Sequence, residues 1–284
     1  MWILWAVTAL WAASFSLIGE FLAGQVDGYI AVFIRMLLAL VLFLPLWRPK
    51  RLALKKQLIL AAIGAIQIGI MYLLLYHAFL YLSVAEVLLF TIFTPLYVTL
   101  IDDVLFQRRH LPRRWWAAAA LAVLGALVIR FNPLSSDFIT GFLLIQGANL
   151  CFAAGQVFYK RLPLGSERNQ LHVFALFFMG ATVTTAIALF SFANFSMQPA
   201  TSLQWGVLLW LGLVASGVGY LAWNLASKRV NTAQLATMNN MLIPAGLLVN
   251  FAFWGSQVDW LRLAIGAAIL GSAVFLASTG KRLN

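Results

Sequence analysis

Charge is scarce in this sequence. Only 10% of its 284 residues are Asp, Glu, Lys or Arg, against 63% hydrophobic, and acids number just eight. A soluble domain averages about 25% charged residues. No water-soluble fold of this length could cover so much apolar surface, which excludes a soluble enzyme or regulator. Cysteine is nearly absent: Cys151 stands alone, so neither an intramolecular disulfide nor a cysteine-based metal cluster can form. There is no P-loop, HExxH or GxSxG motif and no acidic cluster at depth, which argues against a membrane-embedded enzyme and against ATP-driven transport by this chain alone. No cofactor or metal is implied. Strict apolar/polar alternation is also missing, which excludes a spanning β-barrel. The net charge of +11 forms no tail or basic face, so it does not indicate a nucleic-acid partner.

What the sequence has is a series of long apolar runs, with a mean hydropathy of +0.93. A spanning helix takes roughly 20 such residues. The breaks predict an all-α integral membrane protein with ten transmembrane helices: Trp2–Phe21, Tyr29–Trp47, Gln57–Tyr81, Val84–Phe106, Trp115–Ile129, Thr140–Tyr159, His172–Phe192, Leu203–Ala226, Thr232–Trp254 and Trp260–Ser278. The start, MWILWAVTALWAASF, lacks a basic leader segment and reads as the first span. With the N-terminus placed in the cytoplasm, 16 of the 19 Lys and Arg fall on the inner side; Arg130 and Arg262 fall outside, and Arg35 lies within the second span. This bias predicts an inner-membrane protein with both termini cytoplasmic.

An internal repeat is visible at an offset of 148 residues. Tyr72 matches Tyr220, Gly64 matches Gly212, Gly69 matches Gly217, and Leu73, Ala78 and Ala85 match Leu221, Ala226 and Ala233. Glu86 falls on Gln234, and Pro95 meets Pro244 after a one-residue insertion. Two halves of five spans each must insert in opposite senses, so corresponding gaps should exchange their charge. They do. The gap after the second span carries five Lys and Arg and its counterpart none; the Leu82–Ser83 turn carries none and its counterpart has Lys228 and Arg229. Two inverted five-helix repeats, 1–134 and 135–284, are therefore expected, an arrangement typical of secondary transporters.

Ionisable groups inside a bilayer are expensive and are functional candidates. Arg35 could attract a substrate carboxylate or pair with Glu86; it could also tie its helix to a carbonyl. Glu86 could bind an amine or a proton, or serve as a helix-start carboxylate favoured by the dipole. His77 reads as an interfacial group, and Asp102 and Asp103 read as partners of Arg108 and Arg109 at the headgroups. Gln146, Asn149, Ala153 and Gln156 share one helical face that lipid could not satisfy. Thr237, Asn240 and Pro244 share another, with Asn239 adjacent. Tyr220, Trp223 and Asn224 add aromatic and amide character, and Pro95 and Pro244 are expected to kink their helices. Such amides could equally be glue between helices.

The stretches LWAASF, IRMLLAL with Arg35, YHAFLYLSVAEVLLFTIFTPLYV and SGVGYLAWNLASKRVNTAQLATMNNMLIP, in that order, resemble the drug/metabolite transporter superfamily, in its EamA-type ten-helix branch. The resemblance spans nearly the whole chain. It implies a central cavity and movement of amino acids, related metabolites or drugs, often outward. The family's Gly-Glu after the fourth and ninth helices is replaced here by LFQRRH and FWGSQ, so no role carries over to that glutamate. The resulting expectation is an exporter of an amino acid or related metabolite working by alternating access, with Arg35, Tyr76, Glu86, Phe90, Asn149, Gln156, Tyr220, Trp223, Asn224 and Asn240 binding the solute. Efflux of cationic drugs, or a non-transporting structural or sensory subunit, are the alternatives. The expected partners are the small-molecule substrate and the lipid bilayer; coupling to protons and assembly as a homodimer are compatible with the sequence.

Overall fold

A computed structural model describes residues 2–108, 110, 136–230 and 232–254, together with scattered positions between 113 and 124 and between 261 and 272. The described residues are helical and contain no strand. Seven helices are long and apolar enough to cross a membrane: α1 (Trp2–Phe21), α2 (Gly28–Leu46), α3 (Leu54–Ala78), α4 (Val84–Phe106), α5 (Asp137–Arg161), α6 (Glu167–Phe192) and α7 (Ser202–Ser227). An eighth, α8, covers Thr232–Trp254. These correspond to the first four predicted spans and to the sixth through ninth. The predicted fifth and tenth spans, Trp115–Ile129 and Trp260–Ser278, lie outside the described residues apart from those scattered positions. The chain is a multi-pass membrane protein.

Short polar motifs set the helix starts. Asp27 precedes α2 and its Oδ1 accepts from the backbone N–H groups of Tyr29 (2.8 Å) and Ile30 (3.2 Å), satisfying donors that no helical carbonyl can reach. Ser83 and Glu86 form a reciprocal capping box at the start of α4, and Thr201 and Gln204 do the same for α7. Helix α6 begins at Glu167, five residues before the predicted His172, because Ser166 caps a polar first turn that hydropathy reads as loop.

Three helices are locally over-wide. Residues Ala65–Ile70 of α3, Asp102–Phe106 of α4 and Trp210–Val218 of α7 adopt π-helical turns, a departure often found at functional sites. The two prolines behave differently. Pro95 of α4 follows a tight 3-10 turn at Thr91–Phe93, whereas Pro244 lies inside the continuous helix α8.

Each helix has two principal neighbours, and the pairs close a ring in the order α1, α7, α2, α6, α3, α5, α4, α8 and back to α1. Small residues allow the closest approach. A Cβ added at Gly64 of α3 would fall on the carbonyl of Phe177, and one added at Gly180 of α6 would fall on the carbonyl of Ala61, so the two backbones touch through both glycines. Side chains pointing away from the ring, such as Val183, Ile187, Phe190, Leu248 and Phe253, are apolar and exposed, as a lipid-facing belt requires.

Candidate functional site

Seven of the eight ring helices, all but α6, contribute side chains to one central cavity of ≈ 710 Å³ including its opening. Its walls are mainly aromatic and aliphatic. Trp11 of α1 stacks obliquely on Tyr220 and Trp223 of α7, with ring centroids 4.8 and 5.0 Å apart, and meets Phe152 of α5 edge-on at 6.1 Å. Both indole N–H groups are engaged behind the wall: Trp11 Nε1 donates to the Ala215 carbonyl (2.8 Å) and Trp223 Nε1 to Gln156 Oε1 (2.9 Å). The faces of these rings are left to the cavity.

The cavity holds one charged side chain among the described residues. Arg35 of α2 is 0% exposed, yet it lines the space. Its Nε donates to Ser216 Oγ (2.7 Å), Nη2 to Tyr72 Oη (2.7 Å) and Nη1 to Tyr76 Oη (3.5 Å), and its guanidinium carbon lies 3.9 Å from the Tyr72 ring centroid. Ser216 belongs to the π-helical turn of α7, and Tyr72 follows the π-helical turn of α3 directly. All three described hydrogen-bond partners are neutral hydroxyls. They orient the cation without cancelling its charge, and a buried charge is costly until it meets an opposite one.

Amides supply the polar remainder. Asn149 of α5 lines the cavity and its Nδ2 donates to the Phe90 carbonyl (2.8 Å), which the 3-10 turn before Pro95 makes available. Gln146, one turn away, accepts from Tyr97 Oη (3.2 Å). The expected polar face of α5 is thus turned inward: Asn149, Ala153 and Gln156 are buried and Gln146 is half-buried. Asn239 of α8 and Thr8 of α1 also face the cavity.

The structure brings Arg35, Asn149, Tyr220 and Trp223 together on the cavity wall. Tyr76 stands behind Arg35. Gln156 anchors Trp223, Asn224 Oδ1 accepts from Gln67 Nε2 (3.2 Å), and Phe90 packs edge-on against Phe138 and Phe142; these three support the wall from behind. Glu86 is not in the wall. Its Oε2 accepts from Ser83 N and Ser83 Oγ, both at 2.8 Å, so the carboxylate acts at the start of α4 and does not meet Arg35 among the described contacts. Asn240 is displaced in favour of its neighbour: the cavity face of α8 carries Met238, Asn239 and Leu242. Counting amides favoured the Thr237–Asn240–Pro244 face, but the wall is mostly apolar, and its face is one residue over. His77 sits beside Tyr29 with Nδ1 2.7 Å from the Leu73 carbonyl oxygen, away from the cavity. Asp102 is ion-paired at the helix end as expected, but with Arg161 of α5 (2.5 Å).

Sequence reasoning missed Trp11, Tyr72, Ser216, Thr8 and Asn239 as members of the site. For Tyr72 the signal was present, since it pairs with Tyr220 across the 148-residue offset. For Trp11 it lay in position, at the middle of the Trp2–Phe21 helix. Ser216 and Thr8 carry no signal that distinguishes them from ordinary helix-packing hydroxyls.

Comparison with known proteins agrees with this architecture. The EamA-like transporter family matches residues 1–131. The biotin transporter of Salmonella typhimurium is 48% identical over 271 residues, covering 95% of this chain and 90% of that protein. The pseudopaline exporter of Pseudomonas aeruginosa is 27% identical over 256 residues, covering 88% and 86%. A solved crystal structure shares the fold with a TM-score of 0.65 at 16% identity, covering 97% of this chain and 95% of that one. A relative 48% identical over almost the full length, a family match over the first 131 residues, and a ring of apolar helices around a polar-tipped cavity lead to one conclusion: this chain belongs to the EamA-like transporter family and is a membrane transporter of a small molecule.

Proposed function

We propose that this chain carries a small carboxylate across the bacterial inner membrane by alternating access, and that the carboxylate is biotin. The observation that carries the reading is Arg35, a fully buried cation held by three hydroxyls at the wall of an aromatic cavity. A substrate carboxylate supplies the counter-charge this group lacks among its described partners. The aromatic faces of Trp11, Tyr220 and Trp223 suit a compact ring system. The name biotin comes from relatives 46–48% identical to this chain.

Amino acid export, the expectation from the sequence, fits the cavity less well. An amino acid brings an ammonium group, and no carboxylate lines the cavity among the described residues. The same lack weighs against cationic drugs, which would also be repelled by Arg35. Outward transport has its counterparts in more distant relatives, the pseudopaline exporter at 27% identity and a probable amino-acid metabolite efflux pump of Salmonella typhimurium at 25% over 62% of this chain.

The ten-helix inverted repeat, with halves 1–134 and 135–284, is part of the proposal. Its support is the packing ring. Exchanging α1 with α5, α2 with α6, α3 with α7 and α4 with α8 reproduces the same set of neighbour pairs, as two halves related by an axis in the membrane plane require. Both termini are then cytoplasmic, by the Lys and Arg bias.

The test is counterflow and gradient-driven uptake of labelled biotin in proteoliposomes. Wild-type protein is expected to accumulate biotin. Arg35→Gln is expected to lower transport by about 100-fold, the weight of a buried charge pair, with elution and melting in detergent unchanged. Wild-type vesicles that exchange no biotin, or an Arg35→Gln variant that transports normally, would refute the reading. Tags at Leu82–Ser83 and Lys228–Arg229 should report opposite compartments; tags on one side would refute the inverted repeat.

A further inference from the structure

Two buried polar groups on the cavity wall have no hydrogen-bond partner: Thr8 Oγ1 and Asn239 Nδ2. Both side chains are over nine-tenths buried, at 2% and 7% exposed. A buried donor left unsatisfied is destabilising, so such groups in a ligand cavity point to what the ligand brings.

Their placement follows from the register of two helices. Phe21 meets Trp254 with ring centroids 6.1 Å apart, and Asn250 Nδ2 donates to Ser16 Oγ (3.2 Å). Both contacts fit an offset of 233 to 234 residues, so α1 and α8 run parallel. Thr8 is then level with Leu242, one turn from Asn239. Arg35 is engaged at a different height. Its partner Ser216 adjoins Ala215, whose carbonyl accepts from Trp11 Nε1, so Ser216 is level with Trp11. Asn239 corresponds to position 5 of α1, six residues from Trp11, which is about 9 Å at 1.5 Å per residue. The rings of Trp11, Tyr220 and Trp223 line the same cavity.

We infer that Thr8 and Asn239 form a second pole of the site, which receives a neutral carbonyl at the end of the substrate remote from its carboxylate. This rests on the carboxylate-at-Arg35 reading and adds the other half of the recognition. A hydroxyl O–H and an amide N–H can both donate to one carbonyl oxygen, which has two lone pairs. An ammonium at that pole would leave the Asn239 N–H unanswered, and a plain alkyl end would leave both groups unanswered. The substrate class is therefore a monocarboxylate tipped by a urea or amide carbonyl roughly 9 Å away. The ureido ring of biotin is one such group, and Thr8 and Asn239 are the residues that distinguish it from a fatty acid of similar length.

The experiment compares binding of biotin and of nonanoate, an unbranched carboxylate without the urea, to purified full-length protein. Wild type is expected to prefer biotin strongly. Thr8→Val, which keeps the side-chain shape, and Asn239→Ala are each expected to weaken biotin by about tenfold, the weight of one hydrogen bond in a buried site, and to leave nonanoate unchanged. Arg35→Gln should weaken both ligands. If wild type binds the two equally, biotin as the cargo fails and this pole with it. If wild type prefers biotin and Thr8→Val, folded as judged by melting, keeps that preference within twofold, the second pole is refuted while the role of Arg35 stands.

Discussion

Helices α3 and α7 occupy equivalent places in the ring and solve the same problem with different neighbours. Each carries a π-helical turn at its middle, and each places a tyrosine close behind that turn, Tyr72 and Tyr220. Each also matches glycines, Gly64 with Gly212 and Gly69 with Gly217. Yet α3 rests on α6 backbone to backbone, whereas α7 rests on α2 through side chains: a Cβ at Gly64 would strike the Phe177 carbonyl, and one at Gly212 would first meet Leu38 Cβ and Cδ1. The difference teaches that pseudo-symmetry fixes the path of the backbone but not the tolerance of each contact. At Gly64 two backbones touch directly; at Gly212 the Leu38 side chain stands between them, with the Arg35 carbonyl next at 3.2 Å from the added carbon.

The sharpest way to break this comparison is to substitute the paired glycines. Gly64→Ala is expected to destabilise the protein by about 3 kcal/mol, at the upper end for overpacking, because a carbonyl cannot step aside. Gly212→Ala should cost less, about 2 kcal/mol, since the Leu38 Cβ is fixed to its backbone but lies 2.8 Å from the added carbon where the Phe177 carbonyl oxygen lies at 1.8 Å. Thermal unfolding in one detergent measures both, and equal losses would erase the distinction. The tyrosines come next. Tyr72 accepts from Arg35 Nη2, and hydrogen bonds to charged groups contribute about 1.5–3 kcal/mol, so Tyr72→Phe should weaken biotin binding by at least about tenfold. Tyr220→Phe keeps the ring that stacks on Trp11 and should weaken it less. Equal effects would mean that hydroxyl number, not contact with Arg35, sets affinity.

The smallest effect lies at the helix ends. At the 148-residue offset, Leu80 beyond α3 corresponds to Lys228 beyond α7. Lys228 Nζ donates to the Leu162 carbonyl (2.6 Å), and burial pushes its pKa down from 10.5 to about 8. Between those two values the unfolded chain holds a proton that the folded chain has shed, so stability rises with pH across that window. The penalty for burying the ammonium is present in full below about pH 8 and is gone above 10.5. Lys228→Met should flatten the slope of melting temperature against pH relative to wild type. An unchanged slope would show that Lys228 is solvated like an ordinary surface lysine.

Hydropathy sufficed for the seven described helices that can cross a membrane because the bilayer demands apolar length, and that demand is written residue by residue. Arg35 stood out as a candidate for the same reason: a charge within an apolar span is expensive. The place of Glu86 was not legible, because a carboxylate near a helix start looks the same in sequence whether it faces a ligand or closes a capping box with Ser83. Asn239 and Asn240 are adjacent amides, and only the register of α8 against α1 decides which faces the cavity. The fold's outline is a one-dimensional property of the sequence. The site is made by crossings such as Ser216 to Arg35, 181 residues apart, which no local pattern records.

Asp27 has a second task besides starting α2. Its Oδ2 accepts from Asn194 N (3.0 Å) and its own N–H donates to the Met197 carbonyl (2.9 Å), both just past the end of α6, while at the other end Arg48 N donates to the His172 carbonyl within α6 (2.9 Å). Helices α2 and α6 are thus riveted at both membrane faces into one strut. Under the alternating access proposed above, a strut fixed at two points would resist rocking about either, and each opening would come from the other helices swinging past it. The guanidinium mounted on that strut would then stay put like a fixed berth while the harbour opens first on one shore and then on the other.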